Sequence, residues 1–181
     1  QQGLLLEWGY SALHSRNLDR PALGGSLTGV FLGIATTDFA LVLAASPAGK
    51  SVYAATGSTI SIASGRISFS LGLHGPCVSY DTACSSALAA LHAAASALRL
   101  READGALASG AGVLLDPSVF AAFAVAGMLS PRGRCHTFDA RADGYCRGEG
   151  VVTFSLRRDG RVAQLLSSAV QQDGPSASLT A

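Results

Sequence analysis

The sequence predicts an α/β fold, and three observations carry that prediction. Hydrophobic residues make up 49% of the 181 and charged residues only 14%, with 21 glycines. That is the composition of a well-buried interior broken by many tight turns. Short apolar runs at 28–34, 77–80, 106–115 and 151–156 alternate with segments of helical spacing, the pattern of strands layered with helices. The clearest helix, 85–99, is mostly alanine with Leu88, Leu91, Ala95 and Leu98 at helical spacing. So little charge predicts a helix buried nearly all round, whose small side chains let other elements come close.

The elements follow in order. Leu5, Trp8, Ala12 and Leu13, with Leu18 beyond a polar gap, predict an amphipathic helix over 4–18. Residues 19–26 hold Pro21 and the pair Gly24-Gly25 and predict a loop. TGVFLGI at 28–34 predicts a buried strand, and 37–43 a helix capped by Thr37 or Asp38 and broken at 46–50. Residues 53–64, rich in Ser, Thr and Gly, predict a loop leading into a helix without clean periodicity, and 72–76 a turn. Strands are expected at 77–80, 106–115, 151–156 and 162–170, and a helix at 118–126 that starts from Asp116 or Ser118. Residues 130–150 predict a long loop dense in Gly, Arg and Asp.

Composition also excludes several classes. Thirteen basic and twelve acidic residues leave a net charge of +1, which gives no electrostatic reason to expect nucleic acid. A mean hydropathy of +0.35 excludes a disordered chain. The longest stretches without charge, 21–37 and 82–98, are 17 residues each and interrupted by Gly and Pro or rich in Ser and Ala, so no membrane span is expected. Met128 is the single methionine, and Gln1 leads into Leu4-Leu5-Leu6 with neither a basic region nor a cleavage pattern. The expectation is a piece of a longer chain without a signal peptide, cytoplasmic, with an organelle left open.

Four cysteines (77, 84, 135, 146) and four histidines (14, 74, 92, 136) contain no CxxC pair. Cys135, His136 and Cys146 offer three potential ligands, but no fourth stands at metal spacing. The expectation is no metal, a loop histidine and two semi-buried thiols. AASPAGKS at 44–51 loosely fits a phosphate loop, yet the residues before it look helical and those after it are not a helix start, so the geometry that holds phosphate is missing. Arg132, Arg134, Arg141, Arg147, Arg157, Arg158 and Arg161 are interleaved with Asp139, Asp143, Glu149 and Asp159, which favours internal ion pairs over a phosphate track.

One motif carries chemistry. DTACSS at 81–86 lies between the strand CVSY and the alanine-rich helix. Unpaired N–H groups and the positive end of a helix dipole converge there. Both favour thiolate over thiol and raise nucleophilicity at neutral pH, and the same N–H groups suit an oxyanion on an attacked thioester. Ala83 and Ser85 leave Cys84 accessible. Cys84 is therefore the candidate catalytic nucleophile, against a buried inert cysteine. Asp81 is expected to buttress the turn, and Cys77, inside a strand, to be inert.

The run GLHGPCVSYDTACSSALAALHAA resembles the active-site segment of β-ketoacyl synthases, the condensing domains of polyketide and fatty acid synthases. QQGLLLEWGYSAL, TGVFLGI, ATGSTISIASGRISFSLGL, GRCHTFDARADGYCRGEG and SAVQQDGPSASLTA resemble that family's other segments in the same order. The resemblance implies a thiolase-like fold layered α-β-α-β-α, of which residues 1–181 are mainly the N-terminal half, truncated at both ends. It implies a homodimer when complete, formed through residues 53–80. It also implies a reaction. Cys84 takes an acyl chain from a phosphopantetheine thioester, a malonyl-type extender on an acyl carrier protein loses CO2, and the enolate attacks the acyl group. No metal or diffusible cofactor is implied. DTACSSALAALHAA and ADGYCRGEG look more like polyketide than fatty acid synthases.

The sequence departs from the family in two places. The family's two catalytic histidines sit in an HGTGT-like and an Asn/Gly-His motif, and none of His14, His74, His92 and His136 matches either. His92 is eight residues along the helix from Cys84, about 12 Å at about 1.5 Å per residue. The Asn-Gln-Asp-Gly turn reads Gln171-Gln172-Asp173-Gly174. A non-catalytic remnant and a cysteine hydrolase are the competing classes, and the latter requires a histidine base beside Cys84. Met128 is expected near the acyl pocket. Asp139, Arg141, Asp143, Arg147 and Glu149 are expected to form a structural ion-pair network.

Overall fold

A computed structural model describes residues 1–35, 38–159, 162–172 and 174–175. Four strands form one mixed sheet: β1 (Thr28–Gly33), β2 (Cys77–Tyr80), β3 (Gly105–Gly112) and β4 (Gly150–Arg157), in the order β2-β1-β3-β4. β1 pairs with β2 and β3 in parallel, and β4 closes the other edge antiparallel to β3.

Helices cover both faces. Alternation along β1 assigns the residues: Val30 and Leu32 point to one side and Phe31 to the other. The first side packs Leu5 and Leu13 of α1 (Gln2–His14) and Ala63, Ile67 and Leu71 of α5 (Ile60–Leu71), with Leu107 of β3. The second side packs α6 (Ser86–Arg99) through Ala90, Ala94, Ala97 and Leu98 onto Phe31, Ala106 and Ala108. Alanine meets alanine there, so α6 lies close against β3. Each fully buried Leu, Ile or Val stabilises this sandwich by roughly 1.5–3 kcal/mol.

Most of the expected elements are present, with corrections. The loop expected at 19–26 contains a short helix, α2 (Arg20–Leu23), because Asp19 accepts the Ala22 N–H at 3.0 Å and Pro21 fits the first turn. After α3 (Asp38–Ala44) the break at 46–50 is a 3-10 turn. The loop expected over 53–64 is instead α4 (Ala54–Ser58) followed directly by α5. Its Ser hydroxyls turn back onto helical carbonyls, Ser58 to Ala54 O and Ser64 to Ser61 O, so polar composition there did not mean loop. α7 (Pro117–Val125) starts from Asp116, whose carboxylate accepts the Ser118 N–H at 2.8 Å.

Two orientations and one strand differ from expectation. Trp8 and Leu88 face outward, Leu88 at 70% exposure, so α1 buries Gly9 rather than Trp8 and α6 has an open side. Residues 162–170 form no strand among those described, since they make no backbone ladder with β4. The segment reaches α6 instead, where Ser168 Oγ lies 3.0 Å from His92 Nδ1. Thr37, Arg161 and Asp173 lie outside the described residues. No helix among the described residues is long and apolar enough to cross a membrane.

Candidate active site

The candidate site lies beyond the carboxyl ends of the three parallel strands. β1 reaches β2 through helices on one face, and β2 reaches β3 through α6 on the other, so the winding reverses at β1. Open α/β sheets place ligands in the crevice at such a reversal.

Residues 81–86 build the turn there. Asp81 Oδ1 accepts the Ala83 N–H at 3.1 Å, as the buttress expected of it. Ser86 Oγ accepts the Thr82 N–H at 2.9 Å and donates to Ala83 O at 2.6 Å, while Ser85 Oγ donates to Thr82 O at 2.8 Å. These bonds hold Ala83 at φ +54, a left-handed conformation that costs a non-glycine residue roughly 1–2 kcal/mol. Cys84 follows on a 3-10 turn (Ala83–Ser85) and is exposed, two residues ahead of the first residue of α6. Cys84 is therefore not buried.

Two glycines seat α6 under this turn. Gly33 and Gly110 are register partners on β1 and β3. A Cβ on Gly33 would stand 2.4 Å from Ala87 N, and one on Gly110 would stand 2.7 Å from Ala87 Cβ. No side chain fits at either position without moving the helix.

An open cleft of about 480 Å³ surrounds the cysteine. Its walls are Gly33 and Ala35, Ala83 and Ala87, Gly110–Gly112, and 148–152 at the base of β4. Small side chains leave Sγ approachable. Glu149 is the one ionisable residue besides Cys84 in the lining, and its carboxylate accepts the Leu114 N–H at 2.8 Å. No histidine lines the cleft among the described residues: His14 stacks on Tyr10, His92 meets Ser168, and His136 lies 4.0 Å from Asp139. No group of three His, Cys, Asp or Glu side chains stands together as a metal site among the described residues.

The remaining expected residues are partly redistributed. Met128 follows α7, is 40% exposed, and does not line the Cys84 cleft. Cys77 lies on the edge strand, as expected in a strand but exposed. Cys135 and Cys146 are exposed rather than semi-buried because their loop runs over the surface; the Cys146 N–H donates to Cys135 Sγ at 3.1 Å. The single ion-pair network expected at 139–149 resolves into two pairs, Arg132–Asp143 at 2.8 Å and Arg141–Asp139 at 2.6 Å. The Ser130 hydroxyl and then Arg132 hold the Asp143 carboxyl below the usual carboxylate range, and Arg141 does the same for Asp139. Arg147 leaves the network, its guanidinium 5.0 and 5.1 Å from the ring centres of Phe120 and Phe123. Around 44–51, helix precedes the turn and helix follows it, so no strand–loop–helix phosphate cradle exists.

Sequence reasoning missed Gly33, Gly110 and Ser86. A signal existed for the glycines, since glycine within a strand often marks a close backbone approach.

The N-terminal domain model of β-ketoacyl synthases matches residues 1–161. The chain belongs to the β-ketoacyl synthase family. A phenolphthiocerol/phthiocerol polyketide synthase of Mycobacterium tuberculosis is 46% identical over the whole chain, which spans 12% of that protein. A mycocerosic acid synthase-like polyketide synthase of Mycolicibacterium smegmatis is 44% identical over 96% of the chain and 9% of its own length. Among solved structures, the ketosynthase from module 6 of the bacillaene synthase of Bacillus subtilis 168 superimposes with a TM-score of 0.78 at 35% identity, covering 87% of this chain and 26% of that one. The oxazolomycin ketosynthase domain of Streptomyces albus JA3453 gives 0.77 at 31%, covering 87% of this chain and 27% of its own. This β-ketoacyl synthase chain thus has the thiolase-like fold of ketosynthases, and the described residues contribute an α-β-α sandwich to it.

Proposed function

We propose that this chain is the nucleophile-bearing part of a ketosynthase domain in a type I polyketide synthase, an acyltransferase that performs decarboxylative condensation. The observation that carries the reading is an exposed Cys84 on a strained, hydrogen-bonded turn at the carboxyl ends of parallel strands, in a member of this family. Cys84 Sγ attacks the carbonyl of an acyl-phosphopantetheine thioester. Negative charge develops on that oxygen next to the N-terminus of α6, where the helix dipole favours it. The tetrahedral adduct collapses, the carrier thiolate leaves and takes up the proton, and the acyl group stays on Cys84. A malonyl-type thioester then loses CO2; its enolate forms a carbon–carbon bond to the acyl carbonyl, and the Cys84 thiolate leaves.

The chain's own residues account for acyl capture. The cleft holds no histidine among the described residues, so enolate stabilisation falls to groups outside it, as the family's histidine motifs imply. The curated relatives are polyketide synthases, which favours that class over a fatty acid synthase.

The reading includes an acyl carrier protein as partner, no metal or diffusible cofactor in this domain, and Met128 near the acyl chain. It also includes a homodimer through 53–80: β2 is an edge strand, and Tyr53 and Phe69 within that segment are exposed, Phe69 at 89%. Four exposed, unpaired cysteines suit a reducing cytoplasm.

The test supplies the intact protein with an acyl thioester and a malonyl-type carrier thioester and follows product and CO2. A β-ketoacyl thioester formed with one CO2 per turnover, and lost in Cys84→Ala, is the expected result. Product formation at an unchanged rate in Cys84→Ala would refute the reading.

A further inference from the structure

Three successive backbone N–H groups after β3 end on two carboxylates brought from distant parts of the chain. Glu149 Oε1 accepts the Leu114 N–H at 2.8 Å. Asp38 Oδ2 accepts the Leu115 N–H at 3.1 Å and the Asp116 N–H at 3.4 Å. Asp38 opens α3 just beyond β1 and is 2% exposed; Glu149 stands immediately before β4.

The segment they grip is where the sheet stops. The β3–β4 ladder ends at the pair Gly112–Gly150, and residues 113–116 have no regular structure. Gly110–Gly112, just before that segment, form one wall of the Cys84 cleft, and Gly110 is also pressed against Ala87 of α6. The wall is therefore fixed by α6 on one side, and past the end of the ladder two carboxylates replace the missing sheet hydrogen bonds. Charged acceptors bond N–H groups more strongly than neutral ones; the Glu149 bond is short, and Asp38 spreads its acceptor over two longer ones. Burying a carboxylate is costly unless it is well bonded, and Asp38 Oδ1 has no partner among the described residues.

We propose that Asp38 and Glu149 are positioning residues that hold the loop 113–116, and through it the Gly110–Gly112 wall, at the spacing an acyl thioester needs beside Cys84. The inference rests on the acyl-transfer role of Cys84 proposed above. Asp38 lies outside the cleft lining and Glu149 within it; each acts through the backbone it holds.

The test uses the intact protein with Asp38→Ala, Asp38→Asn, Glu149→Ala and Glu149→Gln. Acylation of Cys84 is measured over a range of acyl-pantetheine thioester concentrations, alongside alkylation of Cys84 by iodoacetamide, which needs only an accessible thiol. The alanine variants should raise the KM for the thioester at least tenfold, with the limiting acylation rate within threefold of wild type. The amide variants keep an acceptor oxygen and should return KM to within threefold. Alkylation should stay within twofold in the Asp38 variants, whose side chain does not line the cleft. Wild-type KM in both alanine variants would overturn the proposal, as would acylation and alkylation falling together, or amides as impaired as alanines. If Asp38→Ala does not fold, the exposed Glu149 pair carries the same test. A wild-type protein that leaves Cys84 unacylated would instead refute the function reading itself.

Discussion

Gly33 lies so close to Ala87 that a Cβ at position 33 would stand 2.4 Å from the Ala87 nitrogen. The C-terminal end of β1 thus sets the height of α6, and with it the turn that carries Cys84. Gly33→Ala forces that helix to shift. Overpacking of this kind costs about 1–3 kcal/mol, and acyl loading of Cys84 should fall at least tenfold. Denaturant unfolding and a loading assay on the same variant check both. A variant with wild-type loading would show that the seating of α6 does not position the cysteine.

Ala83 gives a prediction of opposite sign. Its φ of +54 is strained for alanine and free for glycine. Ala83→Gly relieves roughly 1–2 kcal/mol and loses roughly 0.4–1 kcal/mol through the more flexible unfolded chain, a net gain of about 0–1.6 kcal/mol. Ala83→Val, branched at Cβ, should destabilise. Asp81→Ala removes the acceptor of the Ala83 N–H and should cost about 0.5–1.5 kcal/mol. Thermal unfolding of the three variants should rank them glycine, wild type, then the other two.

The loop 130–150 should loosen in acid. Asp143 is held below its ordinary value by the Ser130 hydroxyl and Arg132, and Asp139 by Arg141. A carboxylate depressed in the folded state contributes fully above its unfolded value, near about 4, and loses that contribution as pH falls through the lower folded value. Both groups are solvent-accessible, so the effect is small and weakens with salt. Limited proteolysis of the loop should accelerate as pH drops below about 4, and Asp143→Asn should be fast already at neutral pH. A cleavage rate flat with pH in the wild type would contradict the assignment.

Association supplies a further check. Phe69→Asp, on the exposed side of α5 beside the open edge of β2, should turn a dimer into a monomer at micromolar concentration in sedimentation, with the fold intact by circular dichroism. A wild-type monomer under those conditions would remove the dimer from the account.

Much of this was legible in the residues. β1, β2, α6 and β4 were found within about two residues because each has a single period or a clear turn at its end. DTACSS pointed to Cys84 because a strand-to-helix turn concentrates N–H groups whatever surrounds it. The helices at 54–71 were obscured by serines that bond back to carbonyls of their own helix. The strand expected at 162–170 failed because an apolar run becomes a strand only with a ladder partner. The roles of Asp38, Glu149 and Gly110 depend on contacts between residues dozens of positions apart, which no local pattern encodes. Arg147 was placed in an ion-pair network by charge alone, whereas the rings of Phe120 and Phe123 claim it.

The central claim is that Cys84 accepts the acyl group. The most direct measurement incubates the protein with an isotopically labelled acyl-pantetheine thioester, quenches it in acid and maps the label by peptide mass spectrometry. The predicted result is label on the peptide containing Cys84, chased off by added thiol and lost in Cys84→Ala. Label on Cys77, Cys135 or Cys146 in preference, or undiminished labelling of Cys84→Ala, would contradict it.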